Sequence, residues 1–149
     1  MRNIAFKTKA FIDTNILVDF VDPHRPGHQA AQDVFQLIFS NKVEAAVSTQ
    51  SILDVVYIGR RSGVESGRKA KETLLHVLAH TNIQNIDSLQ TSMALKDPNP
   101  DVEDSAHIAF AYDECCDVII TNDKKLLSRE VPKPMLVMTP EAFVDKCRA

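Results

Sequence analysis

The sequence predicts an α/β fold: three layers, α/β/α, around a central, mostly parallel sheet of four to five strands. Three observations predict it. Short apolar runs that read as buried strands alternate with longer stretches whose apolar residues recur at helical spacing. This order builds βαβ units, whose helices cover both faces of a parallel sheet. No linker, low-complexity tract or internal repeat divides the 149 residues, a length that fits one domain with a real core.

Ala10-Phe11-Ile12 reads as the first strand, stopping at Asp13. Thr14–Phe20 gives one or two helical turns, broken by Pro23, Pro26 and Gly27. His28–Ser40 carries Ala31, Val34, Phe35, Ile38 and Phe39 at helical spacing, and Glu44–Ser48 is a second strand. Thr49–Arg60 is a helix, capped by Ser48 or Thr49, with Ile52, Leu53, Val56 and Tyr57 on its apolar stripe. Arg61–Gly67, with two glycines, reads as a loop. Arg68–His80 follows as a helix with Ala70, Leu74, Val77 and Leu78 inward. Asn82–Ile86 is a weak strand, and Asp87 or Ser88 caps a short helix to Leu95. After the break KDPNPD, Val102–Tyr112 is a helix rich in small residues, suited to close packing on a sheet. Val118–Thr121 is the strongest strand signal, β-branched throughout. Met135–Met138 is the last strand and Glu141–Cys147 the closing helix.

Net charge is −3, so nucleic-acid contact would need a local basic patch rather than a global field. Cys115, Cys116 and Cys147 form no C-x-x-C, which suggests neither a disulfide framework nor a zinc site and points to a reducing cytoplasm. The start, MRNIAFKTKA, lacks a signal-like apolar run, and no stretch is apolar enough for a membrane span.

The functional clue is a set of acids. Ligands of open parallel sheets bind beyond the carboxyl ends of the strands. Asp13 closes the first strand and Asp123 lies two residues past Thr121 at the end of another. Asp54 and Asp104 sit on helices flanking such strands. At ~4 Å and an effective dielectric of ~20, each like-charge pair costs on the order of 4 kcal/mol. A chain that gathers several carboxylates holds a divalent cation between them or raises one pKa for acid–base work. Four converging carboxylates suit Mg²⁺ or Mn²⁺ and metal-assisted phosphodiester chemistry. Each acid also has a plain structural reading: Asp13 as an N-cap, Asp104 in a capping-box variant begun by Asp101, Asp54 outward-facing, Asp123 in a turn. Capping alone gives no reason for all four to share one end of a sheet.

FIDTNILVDF, STQSILDVVY and DVEDSAHIAFAYDECCDVIITND together resemble the PIN domain, the nuclease family that includes VapC-like toxins of toxin–antitoxin pairs. The resemblance runs from about Ala10 to Val144. It implies a metal-dependent endoribonuclease whose catalytic quartet falls on Asp13, Asp54, Asp104 and Asp123, with Asp13, Asp104 and Asp123 as metal ligands. Thr14, Asn15 and Thr121 fall on supporting positions. The family's second acid is commonly Glu, one methylene longer than Asp54. The resemblance further implies RNA as substrate, an antitoxin protein as partner, and a homodimer.

Competing signals are weaker. His76-x-x-x-His80 has zinc-pair spacing but no convincing third ligand, and reads as a surface feature. No nucleophile elbow or phosphate-binding glycine loop occurs. Cys115 and Cys116 read as buried packing. The basic residues Arg60, Arg61, Arg68, Lys69, Lys71 and Arg129 read mostly as solvated faces, whereas Lys124 and Lys125, directly after Asp123, are candidates for holding substrate phosphates. Two alternatives stand beside the nuclease. One is an aspartyl-phosphate phosphohydrolase or phosphoacceptor using Asp13, although position 15 is Asn where a D-x-D site needs a second acid. The other is a PIN-like module that binds RNA or protein without catalysis.

Overall fold

The computed structural model describes residues 7–149. Segment 1–6, part of the stretch that shows no signal-like run, lies outside the described residues. Five strands form one parallel sheet in the order β3-β2-β1-β4-β5. They are β1 (Lys9–Ile12), β2 (Glu44–Ser48), β3 (Asn82–Gln84), β4 (Val118–Ile120) and β5 (Leu136–Met138). From β1 the chain steps outward through β2 to β3, then returns to lay β4 against the other side of β1. The strand order therefore reverses between β1 and β4, and their carboxyl ends open the crevice where such folds bind ligands.

Period-two alternation explains why the strands are apolar almost throughout. Ala10, Ile12, Ala45, Val47, Val118 and Ile120 point to one face. They pack against α1 (Thr14–Val21), α2 (His28–Phe39), α3 (Thr49–Arg61), α4 (Val64–His80) and α8 (Pro140–Arg148). Phe11, Ala46 and Ile119 point to the other face, against α6 (Val102–Asp113) and α7 (Lys124–Leu127), with α5 (Ser88–Lys96) packed on α6. The sheet is thus covered on both sides, as expected.

Four local expectations need correction. The Arg61–Gly67 loop shrinks to Ser62 and Gly63, because Gly67 lies inside α4 at the crossing with α3. A Cβ on Gly67 would stand 3.1 Å from Arg60 Cγ, and one on Gly59 would stand 3.0 Å from Ala70 Cβ. These two glycines let helices touch rather than let a loop turn. Leu53, Tyr57 and Leu78 are exposed instead of inward. Burial on α3 centres on Ser51 and Val55, with Ile52 and Val56 packed at the margin, so Leu53 and Tyr57 rotate off the stripe. Cys115 is exposed while Cys116 is buried. Cys115 adopts a positive φ of 57° after α6, its N–H donates to Tyr112 O and that of Cys116 to Ala111 O, a Schellman closure that turns one thiol out and folds the next beneath. Finally, Lys124–Leu127 forms a short helix where only a turn was expected.

Candidate active site

Asp13 ends β1 at the point where its backbone N–H still donates to Ile120 O of β4, at 3.1 Å. Its side chain then caps α1, with Oδ1 accepting from Thr14 N at 2.8 Å. Asp13 is 5% exposed, and this buried carboxylate is held by neighbouring donors. Oδ2 accepts from Thr121 Oγ1 at 2.7 Å and from Asn15 Nδ2 at 2.9 Å.

Thr121 is the hub. Its hydroxyl donates to Asp13 and accepts from Asn15 Nδ2 at 3.1 Å and from the backbone N–H of Asp123 at 3.0 Å. One donor and two acceptor positions are all used. Asn15 answers in the other direction, its Oδ1 accepting from Asn122 N at 3.0 Å. The DTN after β1 and the TND after β4 therefore interlock, and the sequence separation of more than a hundred residues closes into one rigid rim.

Asp123 is half-buried and caps α7, its Oδ1 accepting from Lys125 N at 2.9 Å. Lys124 and Lys125 are exposed on that short helix. Asp104 stands in the first turn of α6, its backbone N–H donating to the capping Asp101 Oδ1 at 3.0 Å. Asp101 is thus a cap, as read, but it also adds charge. The Asp104 carboxyl is pushed up to about 7, first by burial, then by the negative charges of Asp101, Asp123 and Asp13, with Arg129 as the opposing cation. Two of the other three expected acids, Asp13 and Asp123, therefore bear on Asp104. Asp54 is not one of the leading charges acting on Asp104. It lies half-buried on α3, one turn beyond Ser51, which is the residue of α3 that reaches the rim: Ser51 Oγ and Thr14 Oγ1 are 2.8 Å apart. Among the described residues, no three Asp, Glu, His or Cys side chains are gathered tightly enough to enclose a cation, so the acids form an open cluster rather than a closed cage.

Several residues at the rim escaped the sequence reading. His107, one turn after Asp104, is 2% exposed with Nδ1 3.5 Å from Asp13 Oδ1. Its signal was the i, i+3 spacing from Asp104 on a sheet-facing helix, which a search for paired zinc ligands does not register. Arg129, by sequence one of the solvated bases, donates to Ser105 Oγ at 2.7 Å and to Asp97 Oδ2 at 3.2 Å, bracing the start of α6. Asp19 is buried on α1 and accepts from Arg25 Nε at 2.6 Å and from Asn122 Nδ2 at 3.1 Å, tying the loop before α2 to the rim. Gly27 is required there, since a Cβ would stand 2.2 Å from Asp19 Oδ2. Elsewhere, Arg68 pairs with Glu65 and Glu72 along α4, and the His76 and His80 rings pack at steep angles against Phe39 and each other, so neither group forms a site.

No helix among the described residues is long and apolar enough to cross a membrane. Comparison with known proteins agrees with this architecture. Ribonuclease VapC1 of Aquifex aeolicus (strain VF5) is 27% identical over 143 residues, covering 93% of this chain and 94% of that protein. Mycobacterium tuberculosis VapC20, described as a sarcin-ricin loop cleaving toxin, superposes with a TM-score of 0.65 at 12% identity, over 85% of this chain and 98% of its own. A chain of a toxin–antitoxin complex from Klebsiella pneumoniae gives 0.61 at 22% identity, over 88% and 97%. At those identities the structural likeness is one of fold. The family model described as PIN domain matches residues 9–125, a span that includes the DTN rim, the first turn of α6 and the TND rim. The chain belongs to the PIN-domain family.

Proposed function

We propose that the chain is a divalent-metal-dependent endoribonuclease, acting as a single PIN unit in the cytoplasm as the toxin of a toxin–antitoxin pair. The observation that carries the nuclease reading is Asp104: a buried carboxyl raised to about 7 by burial and by neighbouring carboxylates, at the switch point of a parallel sheet. An oxygen-only, strongly negative donor set fits a hard cation such as Mg²⁺ or Mn²⁺. The names of Ribonuclease VapC1 and of the toxin structures support RNA as substrate and an antitoxin protein as partner.

Asp13, Asp104 and Asp123 hold the ion in this reading. When bound, it supplies activation of a water nucleophile and neutralisation of charge on the leaving oxygen. Thr121 and Asn15 fix the Asp13 carboxylate, and Thr14 links α1 to Ser51 of α3. Asp54, further along α3, orients the attacking water or helps hold a second ion. Lys124 and Lys125 offer their ammonium groups to the RNA backbone beside Asp123. A homodimer follows from the same family reading. The phosphoacceptor alternative loses ground because both Asp13 oxygens are engaged by Thr14, Asn15 and Thr121 and the group is almost fully buried.

The test is RNA cleavage by the purified chain in Mn²⁺ or Mg²⁺, against Asp13→Ala, Asp123→Ala and EDTA. Cleavage is expected only with metal and both acids, with the variants retaining their circular dichroism. Full cleavage by folded Asp13→Ala, or in EDTA, contradicts the proposal. Tight RNA binding without turnover in any divalent metal would favour the non-catalytic module instead.

A further inference from the structure

His107 is the polar group beside Asp13 that no hydrogen bond accounts for. Its side chain is 2% exposed, and both ring nitrogens lack a hydrogen-bond partner among the described residues. One flank of the ring leans on Phe11, with centroids 5.3 Å apart and planes tilted by 46°. Phe11 is itself locked in the second core, edge-on to Phe110. The ring is therefore held by the sheet on one side and carried by α6 on the other. Burying an imidazole where an apolar side chain would pack is unfavourable unless a nitrogen is used. The acceptor nearest Nδ1 is Asp13 Oδ1, at 3.5 Å. At 3.5 Å the two atoms stand just beyond hydrogen-bond length; a lone pair on Nδ1 would be repelled by the carboxylate oxygen, whereas an N–H there would be drawn to it, and a shift of a few tenths of an ångström would close the bond.

We infer that His107 is a positioning residue for Asp13: it carries a proton on Nδ1 and donates it to Asp13 Oδ1, holding from the α6 side the carboxylate that Thr121 and Asn15 hold from the β4 and α1 side. The inference rests on the reading of Asp13 as a metal ligand for its functional consequence, but not for the hydrogen bond itself. Asp13 has Thr14 on Oδ1 and two donors on Oδ2, so without His107 the carboxylate is braced mainly on the Oδ2 side. Hydrogen-bond partners of ligating groups typically contribute roughly 10–100-fold to metal affinity by fixing ligand orientation. His107 links Asp13 to α6, the helix that carries Asp104 three residues earlier. The two acids then move as one unit rather than as independent ends of β1 and α6.

The test has two parts on the full chain. In the metal-free protein, ¹⁵N imidazole spectra should show His107 protonated at Nδ1, with that signal displaced in Asp13→Ala. A ring protonated only at Nε2 overturns the proposal. In the second part, Mn²⁺ binding is measured by electron paramagnetic resonance for His107→Leu, His107→Gln and His107→Asn, with thermal unfolding as the fold control. Leu and Gln should weaken binding about 10–100-fold, and Asn, whose Nδ2 stands close to the position of Nδ1, should restore most of it. Leu binding within about twofold of wild type, or Asn no better than an equally folded Leu variant, overturns the proposal. If the wild-type chain binds no Mn²⁺ while the Nδ1 proton is present and answers to Asp13→Ala, the positioning role stands and the metal reading of the site fails.

Discussion

The two halves of the acidic cluster are built by opposite means. On the β1–β4 side, Asp13, Asn15, Thr121 and Asn122 satisfy one another, and the Thr121 hydroxyl uses every hydrogen-bonding position it has. On the α6 side, Asp104 is pressed among Asp101, Asp123 and Asp13 with Arg129 as the opposing charge, and its carboxyl rises to about 7. One half is ordered by bonds already made. The other is left short of positive charge. The difference suggests a division of labour: the rim fixes where a ligand's oxygens lie, and α6 supplies the unfavourable charge density that a cation would relieve. A site with only the first half would be a polar latch between strands, and one with only the second would splay apart.

The comparison is broken most severely by removing an acid shared by both halves. Asp13→Ala should abolish RNA cleavage, as described above, because it deletes the carboxylate held by the rim and felt by Asp104. Next in size is an effect on stability. Asp104 has a folded pKa near 7 against an ordinary 3.8, so the folded chain holds this proton more tightly than the unfolded chain does. The resulting stabilisation is fully present below about pH 4 and is lost as pH rises through about 7. Through this group, metal-free protein should therefore melt lower at pH 8 than at pH 5. Asp104→Asn should flatten that slope and stabilise the metal-free chain at pH 8 by on the order of 1–3 kcal/mol, allowing for solvent screening. Thermal unfolding across that range measures both; a steeper slope in Asp104→Asn would contradict the crowding.

Thr121→Val tests the bonded half. It leaves the Asp123 N–H without its acceptor and takes one of two partners from Asp13 Oδ2 and from Asn15 Nδ2, which still bond each other, and should cost about 1–3 kcal/mol at every pH. Cleavage should fall roughly 10–100-fold as Asp13 loses its orientation. The smallest effect is expected at Asp54, which is not one of the leading charges bearing on Asp104. Asp54→Ala should lower cleavage by far less than Asp13→Ala, and kinetics at saturating metal decides it. Equal losses would place Asp54 inside the cluster.

The same contrast explains what was legible beforehand. Strand ends were readable because buried parallel strands such as Val118–Ile120 are apolar throughout and stop at polar residues, so Asp13 and Asp123 fell at one edge. Asp104 was readable from its place in the first turn of the helix that precedes Val118–Ile120, and from the resemblance carried by DVEDSAHIA, although the capping pattern begun by Asp101 gave it a plain structural role as well. Residues acting through tertiary contact were not. Arg129 looks like any exposed base until its loop folds against the start of α6. Asp19 becomes a buried latch only when Arg25 and Asn122 arrive from other segments. Gly59 and Gly67 carry the usual signature of a loop, and only the closeness of α3 to α4 shows that they serve packing. His107 has no hydrogen-bond partner in its own helix, and the carboxylate nearest to it, that of Asp13, comes from the end of β1, far away in sequence.

The central claim, that these acids are gathered for a divalent cation, is tested most directly by titrating Mn²⁺ into the metal-free chain at pH 5 and pH 8 while following its melting temperature. A bound ion stabilises the fold in proportion to its occupancy, and protons on the carboxylates compete with it. The account predicts a clear rise at pH 8, a smaller one at pH 5, and none at either pH in Asp13→Ala or Asp104→Asn. An unchanged melting temperature at pH 8, or an undiminished rise in both variants, would contradict it.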